Sequence, residues 1–267
     1  MTISLLQALV YRLFRPRDHF RIVAMDRMAP RVVRIRLVPE SSVVRPYRAG
    51  QFLFIRFDIP GLQHKEHPFT IANPPGGSFI EILVKGTDVW TLALYDQAEN
   101  FPKTQSSQHG SEQPGAGKTW LAVLDYPYGS FTTKDADGGP WVFLAEGIGI
   151  TPFLAMAGGR LRDDARILIL WAAYNRDELA GIEELSAINA RRPSIRLVPA
   201  LGHDPMWTGR RGQLDRQSLL DLAGREIADP RTCYWICCPT PLRIVLVKAL
   251  KSLGIHRKHI RYEDCSS

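Results

Sequence analysis

Arg48-Ala-Gly50-Gln-Phe-Leu-Phe-Ile-Arg-Phe57, followed after a short break by Glu66-His67-Pro68-Phe69-Thr70-Ile-Ala-Asn73, is the stretch on which the reading of the fold turns. Its apolar run has the composition of a buried strand, and Gly50 marks the turn into it. His67 to Thr70 combine an imidazole, a rigid proline, a flat aromatic ring and a hydroxyl. That set suits a flat ligand bearing an anionic group: Phe69 to stack on a ring system, Thr70 to hydrogen-bond its edge, His67 to face a phosphate. Two further segments, distant in sequence, complete the same reading.

Composition narrows the setting. A chain of 267 residues allows one large domain or two of ordinary size. A hydrophobic content of 45% with 23% charged residues is that of a soluble globular protein. The net charge of +7 admits nucleic acid, a membrane surface or anionic small molecules as partners. The chain has no nucleic-acid module and no interleaving of aromatic and basic residues, so no nucleic-acid partner is expected. Part of the positive charge sits early, in Arg12, Arg15, Arg17 and Arg21. Cys233, Cys237, Cys238 and Cys265 lie near the C-terminus, with no paired framework across the chain, which points to a reducing, cytoplasmic compartment. Their spacing does not suit an iron–sulfur cluster, and no metal site is expected.

The segment from Thr2 to Phe14 is apolar, yet shorter than the roughly 20 residues needed to span a bilayer, and it lacks a signal-peptide cleavage site. Leu6, Leu9, Val10 and Leu13 share one helical face, followed by arginines. Residues 1–17 are therefore read as an amphipathic helix and linker, either packed on the body of the protein or resting on a membrane or partner. In the second case residues 1–21 make peripheral contact at the cytoplasmic face of a membrane.

Residues from about 19 to 135 are rich in strand-like runs: Phe20–Ala24, Val32–Val38, Gln51–Phe57, Phe79–Lys85 and Trp120–Leu124. Pro39, Pro60-Gly61 and Pro74–Gly77 separate them, and one helix is expected over Thr91–Ala98. Many short strands with turn signals predict an antiparallel barrel over residues 18–137. Gln105–Lys118 is polar and reads as an exposed loop; its Gly115-Ala-Gly-Lys118 ending is not a phosphate-binding P-loop, because Glu112 stands where the first glycine is required. From Trp141 the pattern changes. Strands at Trp141–Ala145, Arg166–Trp171, Ile195–Pro199, Tyr234–Cys237 and Ile260–Tyr262 alternate with helices at Thr151–Leu161, Glu178–Asn189 and Leu242–Leu253. Such alternation predicts an α/β domain with a parallel, Rossmann-like sheet over residues 138–267.

The second chemical segment is Leu144-Ala145-Glu146-Gly147-Ile-Gly149-Ile-Thr151-Pro152. It leads from a strand through a glycine turn into a helix, where backbone N–H groups and the helix N-terminus favour a pyrophosphate. Pro152 suits the first helical turn. The third is Tyr234-Trp-Ile-Cys237-Cys238-Pro239, a strand end on the same edge of the predicted sheet.

With the three segments in this order, the chain resembles the ferredoxin–NADP reductase superfamily, most closely the dehydrogenase domain of NADPH oxidases and ferric reductases, whose flavin motif reads His-Pro-Phe-Thr/Ser. The resemblance spans about residues 19 to 265. It implies FAD as bound cofactor and NAD(P)H as electron donor, with NADPH favoured over NADH. His67, Pro68, Phe69 and Thr70 match the flavin motif, with Phe69 against the isoalloxazine, Thr70 near its N5 and His67 facing the pyrophosphate. Lys85 and Gly86 with Trp90 and Thr91 resemble the family's Gly-Asp-Trp-Thr segment, which places a helix N-terminus at the flavin diphosphate. Gly129 and Ser130 resemble the turn ending the barrel. Gly147, Gly149, Thr151 and Pro152 match the pyridine-dinucleotide turn. Cys237 and Pro239 match the family's Cys-Gly-Pro, and Glu263 its terminal acidic motif. Thr70, Cys237 and Glu263 are the implied catalytic residues. Asn175-Arg176 and Arg210-Arg211 are candidates for the adenosine ribose or its 2′-phosphate.

The implied reaction is hydride transfer from NAD(P)H to FAD, then single electrons to a haem, ferric or oxygen acceptor. In the resembling proteins the haem lies in a membrane domain, so the partner is a membrane haem protein, on a separate chain or detached from this one. Two alternatives remain: a soluble ferredoxin- or flavodoxin-type reductase, and a non-catalytic nucleotide-binding regulatory subunit. Three departures motivate the last: Glu146 beside the pyrophosphate turn, Cys238 in place of glycine, and Cys265 where the family places an aromatic covering the flavin. Cys265→Phe is expected to slow flavin reduction in anaerobic stopped-flow; an unchanged rate would show that position 265 does not govern access to the flavin.

Overall fold

The computed structural model describes residues 17–41, 43–102, 119–134, 138–159 and 165–264. The expected N-terminal helix, the polar loop over 105–118 and Cys265 lie outside these residues.

β1 (Asp18–Ala29), β2 (Val32–Pro39), β3 (Phe52–Asp58), β4 (Glu66–Thr70), β5 (Ile80–Lys85) and β6 (Leu121–Tyr128) form one antiparallel sheet in the order β4-β3-β6-β1-β2-β5. Ile71, just beyond β4, bridges Ile82 on β5, so the two edges of the sheet meet and close the expected barrel. The alternation of β2 and β3 explains the closure: Val33, Ile35 and Leu37 with Leu53, Ile55 and Phe57 are fully buried inside. Helix α1 (Val89–Asn100) sets Trp90, Leu94 and Ala98 into the same core. It begins two residues before the expected Thr91, because Asp88 caps it through a reciprocal pair of bonds with Thr91. β4 escaped the sequence reading as a strand, since Glu-His-Pro-Phe-Thr lacks an apolar alternation. Its proline is tolerated at the margin of the hydrogen-bonded ladder.

The second sheet is wholly parallel, in the order β10-β9-β8-β7-β11-β12. Its strands are β7 (Trp141–Glu146), β8 (Ile167–Ala173), β9 (Ile195–Leu201), β10 (Arg210–Arg211), β11 (Cys233–Cys238) and β12 (Ile260–Asp264). Helices α2 (Thr151–Gly158) and α3 (Ile182–Arg191) cover one face, while α4 (Arg216–Ala228) and α5 (Thr240–Ser252) cover the other. β8 is buried along its whole length, as burial on both faces requires. The sequence reading missed α4, whose charged residues obscure Leu219 and Ala223; its signal was the capping box between Asp215 and Ser218. After β7 the chain first builds β8, β9 and β10 to one side and later β11 and β12 to the other. β7 therefore ends at the topological switch point where such sheets bind ligands.

The two domains share an apolar seam. Ala72, Leu83 and Phe131 from the barrel side belong to one buried cluster with Phe153, Leu154 and Met156 of α2. Two ionic contacts flank it. Arg34 on β2 reaches Glu184 of α3 at 2.8 Å and Glu81 of β5 at 3.4 Å, and Lys85 at the end of β5 reaches Glu178 at 2.9 Å. Gly50 sits in this seam with φ +92°, and a Cβ there would lie 2.0 Å from the Phe131 carbonyl oxygen and 2.4 Å from the Met156 methyl. Gly50→Ala should accordingly lower stability by more than about 1 kcal/mol, from left-handed backbone strain and the clash together. Urea denaturation followed by tryptophan fluorescence checks this; an unshifted midpoint would count against the packed seam.

Candidate active site

The barrel contributes β4 and its neighbours. Cross-strand register pairs His67 with Ile55, Phe69 with Leu53, and Thr70 with Phe52. The two-residue period thus puts His67 and Phe69 on one face of β4, and Pro68 and Thr70 on the other. His67 stacks on Trp90 at 3.8 Å between ring centroids, and the Phe69 ring follows 6.4 Å from His67. Trp90 is buried and donates its indole N–H to the Gln63 carbonyl, so it serves as the floor on which His67 rests. Burial holds the His67 pKa below the ordinary imidazole value, with Lys65 adding to the effect and Asp88 opposing it. His67 Nε2 is buried without a hydrogen-bond partner, which is the condition of a group that a ligand completes.

The Thr91 hydroxyl accepts the N–H groups of Thr87 and Asp88 and donates to the Asp88 carboxylate, which also accepts the Thr91 N–H at 2.7 Å. Both Thr91 groups thus serve the cap, and a carboxylate already stands at the N-terminus of α1. Those bonds hold Asp88 below the usual carboxylate range. Gly86 packs beside the Leu92 side chain, which a Cβ there would meet at 2.8 Å and displace.

On the opposite side of β4, the Phe52 ring stacks on Tyr128 at 5.8 Å. Gly129 follows with φ +90°, and its carbonyl accepts a bond from Gln51. A Cβ on Gly129 would lie 3.0 Å from the Phe52 ring and 3.9 Å from Glu263 Oε1. That single glycine therefore marks where barrel and parallel sheet face each other. Ser130, next to it, is exposed, and its carbonyl accepts the Thr132 N–H.

From the second domain come the ends of β7, β11 and β12. Gly147 (φ +51°) turns the chain out of β7, and its carbonyl accepts the Trp171 indole N–H at 2.9 Å. A short 3-10 turn containing Gly149 leads into α2, where the Thr151 hydroxyl donates to the Ile148 carbonyl and Pro152 occupies the first turn. In register, Cys237 lies between Ala145 of β7 and Glu263 of β12. It faces the cluster nearest the barrel, whereas Cys238 faces the opposite core and is fully buried. Pro239 sets the start of α5. Burial raises the Glu263 pKa to about 7. Glu146 is also pushed upward, chiefly by burial and then by Glu178, while Lys85 opposes both.

The arginines singled out in sequence are engaged within the fold. Arg176 forks onto Asp204 with bonds of 2.6 and 3.1 Å, which hold that carboxyl below its usual range. Arg210 pairs with Asp221 at 3.5 Å, and Arg211 donates to the carbonyls of Pro205 and Trp207. Beside Arg176, an exposed Tyr174 stacks on His203 at 4.5 Å. Sequence reasoning passed over this pair; its only signal was that each residue closely follows a strand of the parallel sheet.

A closed barrel joined to a parallel sheet at its switch point is the architecture of a two-domain flavin and dinucleotide reductase. Two family models cover most of the chain: an FAD-binding domain over residues 19–132 and an oxidoreductase NAD-binding domain over residues 143–246. The chain belongs to the ferredoxin–NADP reductase superfamily and is an FAD-dependent oxidoreductase of pyridine nucleotides. It is 27% identical to ferredoxin–NADP reductase B of Sorangium cellulosum, over 91% of this chain and 95% of that one. It is 28% identical to the reductase component DmpP of phenol 2-monooxygenase from a Pseudomonas strain, over 74% of this chain and 51% of that protein. Its fold matches the flavohaem-like FAD/NAD-binding domain of nitric oxide dioxygenase from Vibrio cholerae, with a TM-score of 0.75 at 20% identity over 92% of this chain and 98% of that one. Membership in an enzyme family answers the non-catalytic alternative. Among the described residues no helix is long and apolar enough to cross a membrane.

Because folding favours neutral Glu263, its contribution to stability is complete below the unfolded carboxylate range and is lost as pH rises through about 7. Glu263→Gln should therefore leave stability unchanged near pH 4 and raise it at pH 8, by on the order of 1–3 kcal/mol. Unfolding midpoints of both proteins across this range check the sign; a variant that is equally stable at pH 8 would refute the shift.

Proposed function

We propose that this protein takes a hydride from NAD(P)H onto FAD in the cleft marked by Gly129 and Glu263, and passes electrons onward to a separate acceptor protein. The observation that carries the reading is the approach of the Gly129 turn, beside the end of β4, to Glu263, whose strand lies next to the ends of β11 and β7. The residues present fit the cofactor. His67 Nε2 is a buried polar atom lacking a partner, and Gly129, exposed with φ +90°, carries no side chain at the turn facing Glu263.

FAD, when bound, supplies the conversion of a two-electron donor into one-electron steps. The Thr70 hydroxyl would hydrogen-bond the edge of its ring system, while Phe69, on the other face of β4 and packed against the barrel core, would support that strand from behind. His67, neutral and resting on Trp90, would offer Nε2 to a phosphate oxygen. Gly86 and Ser130 would admit the cofactor by their small size, and Lys85 would add positive charge nearby. The Gly147–Gly149 turn, with Thr151 and Pro152 opening α2, would hold the dinucleotide pyrophosphate through backbone N–H groups. Cys237 and Pro239 would border the nicotinamide. Glu263, poised between its two protonation states near neutrality, would hold or release a proton at its carboxylate while the surrounding apolar walls exclude water.

A protein acceptor is supported by the names of the relatives, a ferredoxin–NADP reductase and a reductase component of a monooxygenase. The motif His67-Pro68-Phe69-Thr70 favours a second reading for the acceptor: a haem, ferric or oxygen acceptor of the NADPH oxidase and ferric reductase kind, met at the cytoplasmic face of a membrane. The cysteine usage supports the cytoplasmic placement. Anaerobic titration of the purified, yellow protein with NADH and NADPH in parallel tests the core of the proposal. Bleaching near 450 nm and turnover with ferricyanide are expected, and His67→Ala should weaken FAD retention by about tenfold, the cost of one charge-assisted bond. A colourless protein that FAD does not reconstitute would overturn it.

A further inference from the structure

Glu146 adjoins the glycine turn of the dinucleotide half with a charge that opposes an anionic ligand. It ends β7 and immediately precedes Gly147, the first residue of the turn that draws an anion. Two charged groups act on it. One is Glu178, at the end of the 3-10 turn Arg176–Glu178, and the other is Lys85, at the end of β5 in the barrel. Lys85 already serves Glu178 at 2.9 Å, and the second Glu178 oxygen accepts the Tyr174 N–H at 3.0 Å, so Glu178 is held at both ends. The Lys85 ammonium also overhangs the turn: a Cβ on Gly147 would lie 3.9 Å from it.

The charge count then decides the outcome. Before any ligand arrives, the field of one ammonium, paired with Glu178, opposes that of two carboxylates. A pyrophosphate brings about two further negative charges, against which the N-terminus of α2 offers roughly half a positive charge. The cluster is partly desolvated between two domains, where uncompensated negative charge is most costly. Neutralising one carboxylate with a proton from solvent removes the excess without moving the backbone.

We propose that Glu146 makes dinucleotide binding proton-linked: the bound state holds one more proton than the free state, carried by the Glu146 carboxylate within the Glu146–Lys85–Glu178 cluster. This rests on the placement of the pyrophosphate at the Gly147–Gly149 turn. Linkage sets the sign. Affinity is greatest at pH values below the titration of Glu146 in the free protein, where its carboxyl is already neutral. It falls by up to tenfold per pH unit above that point, and levels off above the titration of the complex. Burial and Glu178 have already raised that titration in the free protein, which moves the window toward neutral pH.

The test uses the FAD-loaded enzyme with NAD+ and NADP+ as dead-end ligands. Calorimetry in two buffers of different ionisation enthalpy, from pH 6 to 9, counts protons taken up per ligand bound. Up to one proton is expected within the window, with a matching fall in affinity. Glu146→Gln, close in shape but neutral, should abolish uptake, flatten the pH profile and bind several-fold more tightly at pH 8. No uptake by the wild type anywhere in the range overturns the proposal. So does an unchanged proton count in Glu146→Gln, or loss of uptake in Glu263→Gln instead, which would place the proton on Glu263. If neither ligand binds and NAD(P)H does not bleach the flavin, the dinucleotide reading itself fails; bleaching with a flat proton count rejects the linkage alone.

Discussion

The seam between the barrel and the parallel sheet is the constraint on which the site depends. Neither domain holds the site alone. Thr70, Phe52 and Gly129 belong to one, Cys237 and Glu263 to the other, and the close approach of Gly129 to Glu263 exists only because Leu83 and Phe131 are buried against Phe153 and Met156. An apolar seam is non-directional and would tolerate sliding. Direction comes from the Arg34–Glu184 and Lys85–Glu178 contacts and from Gly50, where Phe131 and Met156 approach too closely for a side chain. Lys85 belongs to both systems, flanking the seam and overhanging the glycine turn, so domain docking and the electrostatics of the dinucleotide site share one ammonium.

Burial between the domains also explains how the titratable groups divide. Glu263 and Glu146 face the cleft with little compensation and are pushed upward; His67 is pushed downward for the same reason, so all three move toward neutrality. Asp88 and Asp204 go the other way, because backbone amides or a guanidinium fork satisfy their charged forms. Carboxylates that hold the fold are thus held as anions, while burial favours the neutral form of Glu146 and leaves Glu263 able to exchange a proton near pH 7. A site that receives an anionic dinucleotide and handles protons needs groups of the second kind.

Legibility in the sequence followed the strength of local signals. The barrel strands alternate or run apolar, β7, β8 and β11 form continuous apolar runs, and the glycine turn lies between a strand and a helix, so each was readable. β4 was not, although it carries the most informative residues: its polar and aromatic side chains suit a ligand rather than a core, and only pairing with β3 makes it a strand. α4 was hidden by charges on its exposed face. Trp90 and Thr91 stood out as ligand-binding types, yet in the fold Trp90 supports His67 and Thr91 closes a helix cap. Arg176 is likewise committed to Asp204, 28 residues away, a partner no local pattern announces.

What the sequence determined by itself was the set of elements and the class of chemistry, because periodicity, glycine placement and strand-to-helix junctions are local properties that a short window contains. Only the tertiary structure decided which face of β4 each residue takes, that Glu263 approaches Gly129, and that Lys85 pairs with Glu178 beside the glycine turn that Glu146 precedes. Those facts depend on register and docking. Both are set by the summed burial of residues far apart in the chain, and electrostatics at the cleft follows from where that burial leaves each charge.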